Sequence, residues 1–124
     1  MQESISFPLS PDTSGAMDNG INLKESFYNE ILLHKEVVAD LVRGYYFTAR
    51  KSVSALEIDA DSVMVDQEGR GSFMAHFILG MFNACADLDY NDKSGMLIEF
   101  AADPDNATMT LKGEYFPERE PDDL

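Results

Sequence analysis

The spacing of apolar residues changes near residue 23 and again near residue 51, and each change predicts a different kind of element. In the first stretch Ile5, Phe7 and Leu9 alternate with polar neighbours, which predicts a short edge strand. Pro8 and Pro11 then remove ladder donors, and the Ser-Gly and Asn-Gly pairs mark turns, so the remainder of residues 1–22 reads as loop. From 23 to about 50 the spacing becomes helical. Leu23, Phe27, Ile31, Val38, Leu41, Val42, Tyr45 and Ala49 recur at intervals of three, four and seven, while Glu30, Lys35, Glu36 and Asp40 fall elsewhere. Asn22 is a fit N-cap, with Glu25 three residues on completing a box-like start. Gly44 marks where this one long helix would kink or end, because glycine costs about 1 kcal/mol relative to alanine inside a helix.

Past Lys51 the period falls to two. Val53, Ala55, Leu56 and Ile58 predict a strand, Asp59-Ala60-Asp61 a turn, and Val63 and Val65 a second short strand, the simplest account being a hairpin. Residues 72–86 fit a helical stripe and a strand face equally well. Their place between glycine-rich turns, inside a run of hairpins, favours strand. Residues 95–102 alternate as a strand, Asp103-Pro104-Asp105-Asn106 is a turn, and a last strand runs from 108 to 115 or 116. Residues 117–124 carry two prolines among acids and read as an extended, mobile tail. The expected fold is α+β: one long N-terminal helix packed on an antiparallel β-meander of about four strands. Residues 1–22 form its leading edge strand and loop, 23–116 its single domain, and 117–124 its tail.

Composition agrees with a folded domain. Of 124 residues 44% are apolar, and 8 Phe with 5 Tyr suffice for a core. Charge narrows the partners: 9 basic residues stand against 23 acidic ones, a formal −14. Phosphate backbones and anionic membrane surfaces would be repelled, so neither direct nucleic-acid binding nor membrane association is expected. The longest apolar run, 77–82, is far short of the roughly 20 residues of a spanning helix. The opening Met-Gln-Glu-Ser lacks a basic, then apolar, secretory signature, and Cys85 has no cysteine partner; together these lead to a cytoplasmic expectation.

No catalytic motif stands out. Cys85 has only His34 and His76 as candidate bases and reads more simply as a small apolar thiol. The Gly69-Arg70-Gly71 segment lacks the third glycine and the strand-to-helix setting of a dinucleotide loop, and a hairpin turn explains it. Asp87, Asp89 and Asn91 open like a calcium loop. Asp92 then stands where that loop requires glycine, and Ile98 where it requires a bidentate glutamate. No metal and no cofactor is expected.

The charge is unevenly distributed: from Asp87 onward eleven acids face three bases. On the expected meander Asp87, Asp89 and Asp92 occupy one loop and Asp103 and Asp105 another, with Glu114 after the last strand and Tyr90, Tyr115 and Phe116 as aromatic anchors. These nine residues form the expected partner-binding face, suited to steering a basic protein. The expected function is therefore that of a small acidic inhibitor, most concretely an immunity-type protein that neutralises a basic toxin such as a nuclease by occlusion; a mimic of nucleic acid relies on the same physics. The rival is a small enzyme or ligand-binding domain with a pocket between helix and sheet, holding His76, Cys85 or Tyr45. A homo-oligomer subunit would show an exposed apolar patch along 73–82, and acidity serving solubility alone is the plainest alternative.

Overall fold

In the computed structural model, which describes residues 3–20, 22–46, 51–83 and 88–114, three short helices cover one face of a curled antiparallel sheet of six strands, a strand-rich half-barrel. The elements run β1 (Ser4–Pro8), α1 (Pro11–Asn19), α2 (Leu23–Leu33), α3 (Lys35–Tyr46), β2 (Lys51–Ile58), β3 (Met64–Val65), β4 (Arg70–Asn83), β5 (Leu88–Asp103) and β6 (Thr108–Lys112). The strand order is β1-β6-β5-β4-β2, with β3 also on β4. This overturns the expected long helix on a four-strand meander.

The expected helix is two. Its break lies at His34, not at Gly44, which α3 runs through. The His34 Nδ1 lies 3.0 Å from the Glu30 carbonyl oxygen and 3.2 Å from Glu30 Oε2, and its ring stacks on Phe7 of β1 at 3.9 Å. These contacts draw the chain out of the helical path while the apolar stripe continues on both sides. Phe27 and Ile31 of α2 and Val38, Leu41, Val42 and Tyr45 of α3 all remain buried. The expected loop after residue 9 is instead largely α1. Ser10 is its N-cap, Pro11 its first residue, and Gly20 closes it with φ 66, its N–H bonding to the Ala16 carbonyl at 2.8 Å.

The supposed hairpin of residues 53–58 and 63–65 is a single interrupted edge. Both β2 and β3 pair antiparallel with β4, one after the other. A 3-10 turn (Ala60–Ser62) separates them, and the Ser62 hydroxyl takes the Met74 N–H at 2.8 Å where a strand carbonyl would otherwise sit. A bulge between Ser54 and Glu57, with Ala55 at φ 52, accounts for the phase slip that places Val53 and then Leu56 and Ile58 on the core side. The strand reading of residues 72–83 matches β4; 84–86, including Cys85, lie outside the described residues. β5 begins at Leu88, so Asp89 and Asp92 are in strand rather than loop.

The concave face of the sheet and the helices enclose the core. Phe73, Ala75 and Phe77 of β4, Met96, Ile98 and Phe100 of β5, and Met109 and Leu111 of β6 meet Phe27, Ile31 and Val42. Phe27 and Phe73 flank Phe100 at ring separations of 5.3 and 6.2 Å. Each such side chain removed from water contributes about 1.5–3 kcal/mol. The convex face carries Ser6, Thr110, Lys112, Glu99 and His76, the alternation expected of a sheet covered on one side.

Candidate functional site

Two hairpin turns lie side by side at one end of the sheet. One joins β3 to β4 through residues 66–69; the other joins β5 to β6 through 104–107. They are stitched together where the Ala102 N–H donates to the Gly69 carbonyl at 2.9 Å. At the ordinary strand spacing their centres are about 10 Å apart. In the first turn Asp66 Oδ1 accepts from the N–H groups of Glu68 and Arg70 at 2.9 and 3.0 Å. In the second, Asp103 Oδ1 accepts from Asp105 N–H and Asn106 N–H, and Oδ2 from the Asn106 side-chain amide at 2.7 Å. The Asn106 amide, its backbone N–H and that of Asp105 hold the Asp103 carboxyl below its ordinary value, outweighing a small opposing effect of desolvation. Asp66 and Asp103 thus lock the turns, while Glu68 and Asp105 project freely to solvent. The basic residue there is Arg70, whose guanidinium is 4.0 Å from Glu68 with both side chains largely exposed, so the pair neutralises little.

Gly69 makes the joint possible. It has φ 84, and a Cβ there would lie 3.1 Å from the Ala102 Cβ and 2.6 Å from the Met17 Cε. A side chain there would have to move the end of Met17, press on Ala102 by a few tenths of an ångström, and sit at a backbone angle that strains any L residue.

Of the nine residues expected to bind a partner, six are described, and among those Asp103 and Asp105 share this place. Asp89, Tyr90 and Asp92 stand on the opposite half of β5, in register with Phe82, Met81 and Leu79 of β4. The eleven steps from Asp92 to Asp103 span about 36 Å of strand. Glu114 is part of the framework. Its Oε1 accepts from the Leu97 N–H at 3.2 Å and its carbonyl accepts from the Tyr45 hydroxyl at 2.7 Å. Asp87, Tyr115 and Phe116 lie outside the described residues, as does the 117–124 tail. Asp66 and Glu68 were missed, although the Asp-Gln-Glu-Gly spelling signals an acidic turn. What the sequence lacks is the register that sets this turn beside Asp103.

The pocket of the rival reading would lie between helices and sheet, where Phe27, Phe73, Ile31, Met96 and Ile98 are packed with no exposure above 0%. The concavities found are open depressions at the surface. One of about 350 Å³ is lined by His76, Glu57 and Lys93 among others; there the His76 Nε2 is 3.6 Å from Asp59 Oδ2, beyond hydrogen-bond reach, and both are about half exposed. Among the described residues no three His, Cys, Asp or Glu side chains converge to hold a metal, and no helix is long and apolar enough to cross a membrane. Among the described residues the large exposed apolar side chains are the adjacent Leu32 and Leu33, Met64 and Leu97, and in the expected oligomer patch Phe73, Phe77 and Leu79 are buried.

One buried charge needs explanation. Glu30, 2% exposed, reaches from α2 to the start of α1, where its Oε1 accepts from Ser10 N–H at 3.0 Å, from the Ser10 hydroxyl, and from the Thr13 hydroxyl at 2.7 Å. Burial pushes its carboxyl up, but the Ser10 and Thr13 hydrogen bonds and the nearby His34 together hold it below its ordinary value. It caps α1 from outside that helix, which explains why Ser10 makes no capping bond of its own. This is a fold-stabilising clamp. No protein-family model matches the chain, and no curated protein or solved structure matches it at a significant level.

Proposed function

We propose that this chain is a small acidic binding protein that occludes a basic surface of another protein, in the manner of an immunity protein covering a toxic nuclease. The observation that carries the reading is the pair of stitched turns, which hold Asp66, Glu68, Asp103 and Asp105 at one end of the sheet against a single weakly paired Arg70. Because Asp66 and Asp103 fasten the turns internally, the charges of Glu68 and Asp105 are presented with little ordering left to lose on binding. With a formal charge of −14 behind them, they would steer a basic partner and repel nucleic acid. The partner site is then Asp66, Glu68, Asp103 and Asp105, and the physics is occlusion rather than catalysis.

The test is affinity capture from the native host at low and at high salt, using wild type, Glu68→Lys/Asp105→Lys, and a control reversal at exposed Glu25 and Glu36. A basic protein retained by wild type and control, weakened by salt and lost from the turn variant, supports the reading. The same protein held equally by the turn variant would refute it.

A further inference from the structure

We infer that α1 is a strut between the two acidic turns, and that Glu30 and Met17, which hold its two ends, are positioning residues for the partner site. The consequence for binding rests on the partner site proposed at those turns; the strut itself does not.

Each end of α1 meets a different turn. At its start the Leu9 N–H donates to the Ala107 carbonyl at 2.8 Å, one step beyond the last rung between β1 and β6, Pro8 opposite Thr108. Ala107 closes the β5–β6 turn at φ 52, a left-handed conformation that a residue with a Cβ holds only when its surroundings impose it. Toward the other end of α1, Met17 lies over the β3–β4 turn. Its Cε and Sδ are 2.6 and 3.3 Å from the point where a Gly69 Cβ would stand, so the thioether fills the space that this glycine leaves. The Gly69 carbonyl in turn accepts the Ala102 N–H, at the base of the second turn. The helical rise from Ser10 to Met17 is about 10 Å, which matches the separation of the turns.

α1 does not supply this rigidity from its own sequence. Nine residues make an isolated helix marginal, and Asp12, Thr13, Ser14, Gly15, Asp18 and Asn19 are all weaker helix formers than alanine. The helix packs chiefly on α2, where the wholly buried Glu30 carboxylate ties down its first turn through Ser10 and Thr13. Its order therefore comes from contacts outside itself, made at both ends. Loss of either lets the helix fray, and a frayed α1 holds neither turn. Such a two-state element, biased from both ends, is the physical requirement for coupling between separated sites. Coupling is reciprocal, so a partner seated on the turns would tighten α1.

The experiment is residue-resolved amide exchange on the full chain, comparing wild type, Met17→Ala, Met17→Leu and Glu30→Ala. The Leu9 N–H reports the second turn and the Ala102 N–H its joint with the first, while Phe73 and Ile98, opposite each other in the ladder of β4 and β5, report global opening. Each alanine variant should accelerate exchange at both Leu9 and Ala102 by at least about tenfold more than at Phe73 and Ile98, and Met17→Leu should restore protection. The decisive readings cross the helix: Met17→Ala at Leu9, and Glu30→Ala at Ala102. Effects confined to each variant's own end, or no larger than the change at Phe73 and Ile98, would overturn the strut. In capture from the native host, Met17→Ala should hold the basic partner at least about threefold more weakly than wild type, with Met17→Leu restoring it. Equal retention would overturn the positioning role. A captured protein indifferent to Glu68→Lys/Asp105→Lys would refute the partner site alone, and the exchange still decides the strut.

Discussion

Removing the Glu30 carboxylate tests how α1 is held. Glu30→Ala strips the acceptor from the Ser10 N–H, the Ser10 hydroxyl and the Thr13 hydroxyl, all within an element that contributes a buried threonine to the interior. Hydrogen bonds to a charged acceptor contribute about 1.5–3 kcal/mol each, less the cost of burying that charge, so a net loss of about 3 kcal/mol is expected. For a domain of this size that lowers the melting temperature by about 11 °C. Glu30→Gln keeps an acceptor in place but not the charge, and should lose about 1 kcal/mol. The pH dependence has a definite sign. The folded carboxyl lies below its ordinary value of 4.5, so its ionisation stabilises the fold above that pH, and the contribution is lost as pH falls through the folded value. The melting gap between wild type and Glu30→Gln should therefore be constant near neutrality and shrink below about pH 4.5. Thermal melts by circular dichroism from pH 3 to 7 measure both quantities. A Glu30→Ala protein that melts within 2 °C of wild type, or a gap that widens toward acid, would refute the clamp.

Two further substitutions follow from close contacts. Tyr45→Phe deletes the hydroxyl that accepts from the Glu3 N–H and donates to the Glu114 carbonyl, so chemical denaturation should show a loss of about 1–3 kcal/mol with an unchanged slope. Gly69→Ala imposes a side chain at φ 84 against Ala102 and Met17, which should cost about 1–2 kcal/mol. Its amide-exchange signature should be a loss of protection at Ala102, the residue whose N–H joins the two turns; unchanged protection there would show that the turns do not depend on the glycine.

The strands were partly legible because a sheet covered on one face writes its alternation into the chain. β1, β4 and the second half of β5 follow from residues 5–9, 72–83 and 95–102. α1 was not read: Pro8, Pro11 and the Ser-Gly and Asn-Gly pairs signal a loop, whereas Ser10-Pro11 starts this weakly amphipathic helix and Gly20 ends it. The helix break was not legible. Periodicity registers which residues are buried, and Ile31 and Val38 keep a helical spacing of seven across His34; what interrupts the helix is a ring stacked on a strand more than twenty residues earlier. The first half of β5 was hidden by its composition, since Asp89, Asn91 and Asp92 have the spelling of a loop and take strand geometry through fourteen consecutive rungs with β4.

What the sequence determined by itself is local or global: a charge of −14, sufficient apolar material for one core, and acidic turns at 66–69 and 103–106 whose carboxylates bond to backbone within four residues. Everything that depends on who lies beside whom was decided by tertiary structure. Pairing each of β2 and β3 with β4 rather than with each other brought Asp66 next to Asp103, and the length of β5 carried Asp89 and Asp92 away from both. The physical reason is that a strand's alternation specifies its faces but not its neighbours, so the position of every charge along the sheet waits on register, which the whole core selects at once.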